Sequence, residues 1–247
     1  MFPYLTHRVG DDVLFLNWAY QEDPPMDLPL DAADEPNRGP IQLYCRTATQ
    51  AGELAGKRVL EVGCGHGGGA SYLMRALGPA CYVGLDLNPA GIEFCRRRHQ
   101  IPGMEFVQGN AEKLPFPPAS FDAMLNVESS HCYPHFHRFL GEVARVLVPG
   151  GVFLYADVRR RVECAWWEAA LASAPGLRVV SWREINDDVL RGIELNSAQM
   201  GAVMDSLVPG FLRRIARQGA PVRQSAIYRN LENRRYSYRM YWMAKVT

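Results

Sequence analysis

The stretch KRVLEVGCGHGGG, residues 57–69, decides how the rest of the chain is read. Its first half is a short apolar run, as a strand buried on both faces requires. Its second half is a turn in which five of the seven residues 63–69 are glycine. A helical pattern follows, with Ala70, Leu73, Met74 and Leu77 on one face. Strand, glycine turn and helix open a nucleotide-binding unit of an open parallel sheet, where ligands collect at the carboxyl edge and glycines let the backbone approach them. Gly63, Gly65 and Gly68 satisfy GxGxxG, a pattern that dinucleotide sites also carry.

Downstream, short β-rich runs alternate with helical patterns: CYVGLDL (81–87), MEFVQGN (104–110), FDAMLNV (121–127) and GVFLYADV (151–158). LRVVSW (177–182) and YSYRMYWMAKV (236–246) add two strands. Asn88-Pro89 reads as a helix start, and Phe136, Phe139, Leu140, Val143 and Leu147 mark a helix that buries one face. The alternation predicts an α/β, Rossmann-like, mostly parallel sheet with helices on both faces and a helical cap. Residues 1–56 form an N-terminal cap, with the proline-rich PPMDLPLDAADEPN (24–37) between FLNWAY (15–20) and a helix from Ile41 to Gly52. Residues 57–185 form the cofactor-binding core. Residues 186–220 read as two helices broken at Pro209-Gly210, a second cap, and 221–247 as antiparallel strands completing the core.

Composition excludes several classes. Formal net charge is +1, and the basic runs Arg96–Arg98, Arg159–Arg161 and Arg213–Arg214 are short and scattered, so they read as solvated faces rather than a nucleic-acid stripe. The six cysteines lack a CxxC pair and several lie in apolar stretches, which fits reduced thiols in the cytoplasm. No cationic start with a long apolar run opens the chain, and no apolar segment reaches roughly 18 residues, so neither export nor stable membrane insertion is expected.

Glu61 beside the glycine turn would repel a pyrophosphate and suit a ligand bearing an ammonium group. Together with the turn at Gly63–Gly67, Asp86 after the second strand, Asn110-Ala111 after the third and Phe121-Asp122 opening the fourth, it resembles the class I S-adenosylmethionine-dependent methyltransferases over residues 57–158. The resemblance implies seven strands with the last antiparallel. It implies that Glu61 and the backbone of Gly63, Cys64, Gly65 and Gly67 hold the methionine moiety of S-adenosylmethionine, Asp86 the ribose and Asn110-Ala111 the adenine edge. Leu87 and Asn126 complete that set. Asn110 stands where the family often has aspartate. A closer resemblance runs through NWAYQEDPPMDLPL, DEPNRGPIQLYCRTATQ, CGHGGGASYL, NVESSHCYPHF and YSYRMY, which are similar to the phthiotriol and phenolphthiotriol dimycocerosate methyltransferases. It implies O-methylation of a lipid-like polyketide alcohol in natural-product biosynthesis. The rival classes are an NAD-dependent oxidoreductase on the same turn and a non-catalytic nucleotide-binding module. Glu61 and Asn110-Ala111 weigh against the first.

The stretch VESSHCYPHFH, residues 127–137, holds three histidines and a cysteine. It follows strand four, so Glu128 to His131 should lie above the carboxyl edge. His131 is the candidate general base, with Asp157 at the end of the neighbouring strand five to orient its ring, which weighs against the non-catalytic rival. Glu128 either positions the substrate or replaces Asp157 as that partner. Loop and helix capping is the bland alternative for His131 and Asp157. His135 and His137 begin a helix two residues apart and point about 200° away from one another, so no metal is expected. For the acceptor, a small apolar hydroxylated molecule, Trp18, Tyr20 and Tyr133 are expected to line a cavity roofed by Met200 and Met204. Aliphatic or phenolic oxygen, and oligomeric state, stay open.

Overall fold

Strand β1 (Arg58–Val62) is flanked by parallel strands on both sides, which is why its four residues after Arg58 are buried and apolar apart from Glu61. The computed structural model describes residues 13–207 and 220–246. Around β1 lie β2 (Cys81–Asp86), β3 (Met104–Gln108), β4 (Phe121–Val127), β5 (Leu147–Arg160), β6 (Leu177–Glu184) and β7 (Tyr236–Lys245). They form one seven-stranded sheet in the order β3-β2-β1-β4-β5-β7-β6. Only β7 is antiparallel, pairing with β5 (Asp157 opposite Arg239) and with β6. The strand order reverses between β1 and β4, the crevice where open sheets of this kind bind ligands.

Seven α-helices are described: α1 (Arg38–Ala48), α2 (Gly68–Leu77), α3 (Pro89–Arg98), α4 (Phe136–Val146), α5 (Cys164–Ala172), α6 (Asn186–Leu207) and α7 (Ala226–Glu232). The Asn88 side chain accepts from the backbone of Ala90 and Pro89 follows it, so α3 starts as the sequence predicts. Helix α4 buries Phe136, Phe139, Leu140 and Val143, but Leu147 opens β5 rather than closing the helix, pairing with Phe121.

Period-two alternation sorts the strands onto two cores. Val59, Leu125 and Leu154 face one layer with Tyr20, Ile41, Leu43 and Ile193; Leu60, Val62, Met124 and Phe153 face the other with Phe139, Leu140 and Trp167. Residues 13–22 cross the carboxyl edge as an irregular strap. Val13 O receives His66 Nδ1 (2.7 Å), Leu14 O receives Gly68 N (3.2 Å) and Gln21 N donates to Asp188 O (2.9 Å).

Two expectations about the caps change. Helix α6 does not roof a cavity where it is described: Val189 and Ile193 are fully buried in the first core, Gly192 lies against the backbone of Ala19 and Tyr20, and Leu195 is 74% exposed. The Pro209-Gly210 break lies outside the described residues. The C-terminal stretch contributes one strand, β7, preceded by the short helix α7, rather than several strands.

Candidate active site

Two adjoining cavities open at the carboxyl edge. The first, about 640 Å³, runs along the glycine turn. Its wall includes Gly63, Cys64 and Gly65, then Asp86, Leu87, Asn110 and Ala111 from the loops after β2 and β3. Asp86 accepts from the backbone of Gly65 and of Asn88, both at 2.9 Å, which ties the turn to the end of β2; burial holds its pKa above the ordinary carboxylate value. The Asn110 side chain accepts from Glu112 N (2.8 Å) and so shapes the next loop. Gly63 has φ +81°, and a Cβ there would lie 1.9 Å from Ser129 Oγ, so only glycine lets the loop after β4 close on the turn. Gly67, at φ +74°, caps α2 and does not face the cavity.

Glu61 does not reach this wall. It projects from β1 toward α1, fully buried, and accepts from Tyr44 OH and Tyr82 OH at 2.8 Å each. Burial pushes its pKa up to about 7. Tyr44 does line the cavity, so Glu61 acts one hydrogen bond behind it. Asn126 is likewise behind the wall, donating to Val62 O (2.7 Å), Ser129 Oγ and Tyr133 OH (3.1 Å each).

The second cavity, about 580 Å³, is walled by Ser130, Phe136, Arg159, Val162, Trp166, Ile227 and Tyr236, among others. Trp18, His131, Tyr133 and Val158 line both cavities. Tyr20 lines neither: it is fully buried and its hydroxyl bonds Glu22 and Arg183 (2.5 Å each), because the strap turns inward after Trp18. Met200 is half-buried on α6 and on neither wall; the Met204 side chain lies outside the described residues.

The loop after β4 brings the ionisable groups together. His131 Nδ1 lies 2.8 Å from Asp157 Oδ1, and His131 N donates to Oδ2 at 3.0 Å. Asp157 also accepts from Ser130 Oγ (2.6 Å) and Val158 N (2.8 Å), and faces Arg159 Nη1 at 3.2 Å. Burial alone would raise its pKa, yet Arg159 and His131 outweigh burial and hold it well below the ordinary range. Burial lowers His131, but the charge and hydrogen bond of Asp157 overcome that and push it up to about 10. Glu128 is not the partner of His131. Its Oε1 accepts from Trp18 N (2.8 Å) and Tyr238 OH (2.6 Å), burial raises it to about 7, and its φ of +47° turns the chain so that Ser130 and His131 face Asp157.

The other two histidines do not converge on His131. His135 pairs with Glu112 (Nδ1 to Oε2, 2.8 Å) at the mouth of the first cavity, and His137 packs edge-on against Trp166. Among the described residues no group of three or more His, Cys, Asp or Glu could hold a metal ion. Arg159, read from sequence as part of a solvated basic run, is instead buried and lines the second cavity, because it falls on the inward face of β5, and Trp166 was not singled out at all. Period two did carry Arg159: Tyr155, Asp157 and Arg159 alternate along β5 and share one face.

Sheet order, glycine turn and acidic end of β2 together define a class I S-adenosylmethionine-dependent methyltransferase, and a family model described as a methyltransferase domain matches residues 60–155. The crystal structure of geranyl diphosphate C-methyltransferase from Streptomyces coelicolor, with Mg2+, geranyl diphosphate and S-adenosyl-L-homocysteine, shares this fold at TM-score 0.71 and 16% identity, over 98% of this chain and 95% of that one. The chain belongs to the phthiotriol/phenolphthiotriol dimycocerosates methyltransferase family: it is 58% identical over 245 residues to that enzyme from Mycobacterium tuberculosis, covering 99% of this chain and 90% of that protein. It is also 56% identical over 246 residues to the fatty-acid O-methyltransferase of Mycolicibacterium smegmatis, covering 99% and 88%.

Proposed function

We propose that this methyltransferase acts on an oxygen, in the first place a hydroxyl, of an apolar lipid-like or polyketide acceptor, with His131 taking the proton and no metal taking part. The observation that carries the reading is the position of His131 on the wall common to both cavities, its Nδ1 fixed by Asp157. The first cavity is then the cofactor site and the second the acceptor site.

The first cavity fits S-adenosylmethionine, because glycine backbone at residues 63–65 and the Asp86 carboxylate, joined by a hydrogen bond on one wall, suit a methionine moiety and the ribose diol next to it. Gly63, Cys64 and Gly65 would hold the methionine moiety, Asp86 and Leu87 the ribose, and Asn110-Ala111 the adenine edge. Gly67 supports the turn, Glu61 positions Tyr44 and Asn126 the Ser129 loop. When bound, the cofactor supplies a methyl group already activated as a sulfonium electrophile. The protein therefore has to align the acceptor oxygen, exclude water and accept one proton.

Asp157 commits Nδ1 of His131 and leaves Nε2 as the basic nitrogen. With a pKa of about 10, the free protein holds the ring mostly protonated at neutral pH, so base catalysis needs the minority neutral form. A cation in the adjoining cavity favours that form by repulsion. Phe136, Val158, Val162, Trp166 and Ile227 give the acceptor cavity its apolar character, with Trp18 and Tyr133 at the junction. The names of the two relatives, for a phthiotriol and for a fatty acid, support a lipid-like oxygen acceptor.

Calorimetry with S-adenosylhomocysteine and with NAD, followed by mass spectrometry of products from apolar alcohols with a chelator present, tests the reading. Binding of the former only, and methyl ethers that survive the chelator, are expected. Tight NAD binding without S-adenosylhomocysteine binding would overturn it.

A further inference from the structure

Val162 and Trp166 are large apolar side chains left 84% and 49% exposed, and both stand on the wall of the second cavity. Single exposed apolar residues are ordinary on a protein surface. These two are four positions apart, through the turn after β5 and the first turn of α5, so they lie side by side at the cavity mouth. Helix α5 buries Cys164, Trp167, Ala170 and Leu171, so Trp166 is held outward while its neighbour fills the core. Contacts with Phe136 and His137, at ring-centroid distances of 5.8 and 6.0 Å, fix it in that place. The charge beside this mouth is basic on balance. Arg160 pairs with Glu163, Arg161 with Glu184 (3.0 Å) and Arg234 with Asp187 (2.7 Å). Exposed Arg235, whose backbone oxygen accepts from Arg161 N (2.7 Å), has no acidic partner among the described residues and is the surplus cation.

We propose that the rim at Val162 and Trp166 docks on an anionic lipid surface, so that an apolar acceptor enters the second cavity from the bilayer without crossing water. This rests on the apolar-acceptor reading above. A tryptophan and a valine bounded by arginines suit a headgroup layer, with the apolar tips pointing inward and the guanidiniums meeting phosphate. No helix among the described residues is long and apolar enough to cross a membrane, so the contact is peripheral. The cavity of about 580 Å³ encloses only a drug-sized body, and a longer chain must lie partly across the rim. Each methylene group carried through water instead would cost roughly fourfold in equilibrium. A second copy of the chain is the poorer occupant. It would bring cation to cation, and two side chains cover far less than the roughly 800 Å² per partner that a stable interface buries.

The experiment floats the full chain with vesicles of phosphatidylcholine alone, or with equal parts of phosphatidylglycerol, and no acceptor present. Binding to the mixed vesicles on the order of fivefold above that to phosphatidylcholine, and reduced by added salt, is the expected result. Val162→Glu and Trp166→Glu should each lower it by roughly tenfold. Leu195→Glu, at a position on α6 that is 74% exposed and on neither cavity wall, should leave it unaltered. No vesicle binding, or an equal loss in all three variants, overturns the docking site. So does binding that survives both Val162→Glu and Trp166→Glu. Self-association abolished by Trp166→Glu, without vesicle binding, would give the rim to a second copy. The reading beneath is judged separately, from methyl ether formed on n-octanol dissolved without vesicles. Ether there without vesicle binding defeats the docking alone, whereas no ether from dissolved octanol or from vesicle-borne cetyl alcohol defeats the apolar-alcohol reading on which the docking rests.

Discussion

Asp157 holds two cations at once: His131 Nδ1 at 2.8 Å from one carboxylate oxygen and Arg159 Nη1 at 3.2 Å from the other. Because Arg159 is buried and paired in this way, replacing Asp157 does more than free an imidazole. Asp157→Asn should let the His131 pKa fall and shift the pH–rate profile for ether formation to lower pH. It should also destabilise the fold by about 3–5 kcal/mol, since the Arg159 charge loses its partner inside the protein. Urea denaturation beside the pH–rate profile checks both; a profile that does not move would remove Asp157 as the group tuning His131.

Stability should depend on pH through two buried acids. Glu61 and Glu128 are each raised from 4.5 to about 7 by burial, so the native state binds their protons more tightly than the unfolded chain does. Stability contributed there is present below about pH 4.5 and is lost as pH rises through about 7. His131 adds a loss on the alkaline side, complete only above about 10, and Asp157 resists until strong acid. Urea midpoints measured between about pH 5 and 8 should decline, and Glu61→Gln should flatten the decline. A midpoint that rises across this window contradicts the raised pKa values of both acids.

Cofactor binding should fail at two places for different reasons. Asp86→Ala removes a charge-assisted acceptor and should cost roughly 1–3 kcal/mol of affinity for S-adenosylhomocysteine. Gly63→Ala should be worse, because its φ of +81° and the 1.9 Å approach to Ser129 Oγ leave no room for a methyl group. Calorimetry on both variants is the check; near-unaltered affinity in Gly63→Ala would mean the turn and the Ser129 loop do not close on the ligand.

Much of this site could be read from residue order alone. The glycine turn, Asp86 and the His131–Asp157 pair lie at strand ends, where period two and parallel order dictate both face and edge. Glu61 shows the limit of that reasoning: its place on β1 is given by sequence, but that two tyrosine hydroxyls close over it depends on how α1 packs. The wall of the second cavity was read least well. Met200 sits at helical spacing that serves packing as well as a cavity, whereas Trp166 and Val162 follow β5 and meet the site only because that strand and its turn carry them there.

The acceptor wall can be tested on that contrast. Trp166→Glu and Val162→Glu place charge on apolar wall positions that are 49% and 84% exposed, so neither should unfold the chain. Each should raise KM for an apolar alcohol by roughly tenfold, the loss of 1–2 kcal/mol of apolar contact, with S-adenosylhomocysteine affinity retained. Met200→Glu, away from both walls, should leave KM in place. The reverse pattern would return the acceptor to α6.

His131→Ala decides the chemistry. The variant and the unaltered chain are assayed side by side with methyl-labelled S-adenosylmethionine, a saturating apolar alcohol and a chelator. The unaltered chain should form labelled methyl ether, and the variant should fall by roughly 10²–10⁴-fold in turnover while binding S-adenosylhomocysteine equally well. Equal turnover in the two proteins would remove His131 from the mechanism, and loss of activity in both only when the chelator is present would assign the chemistry to a metal.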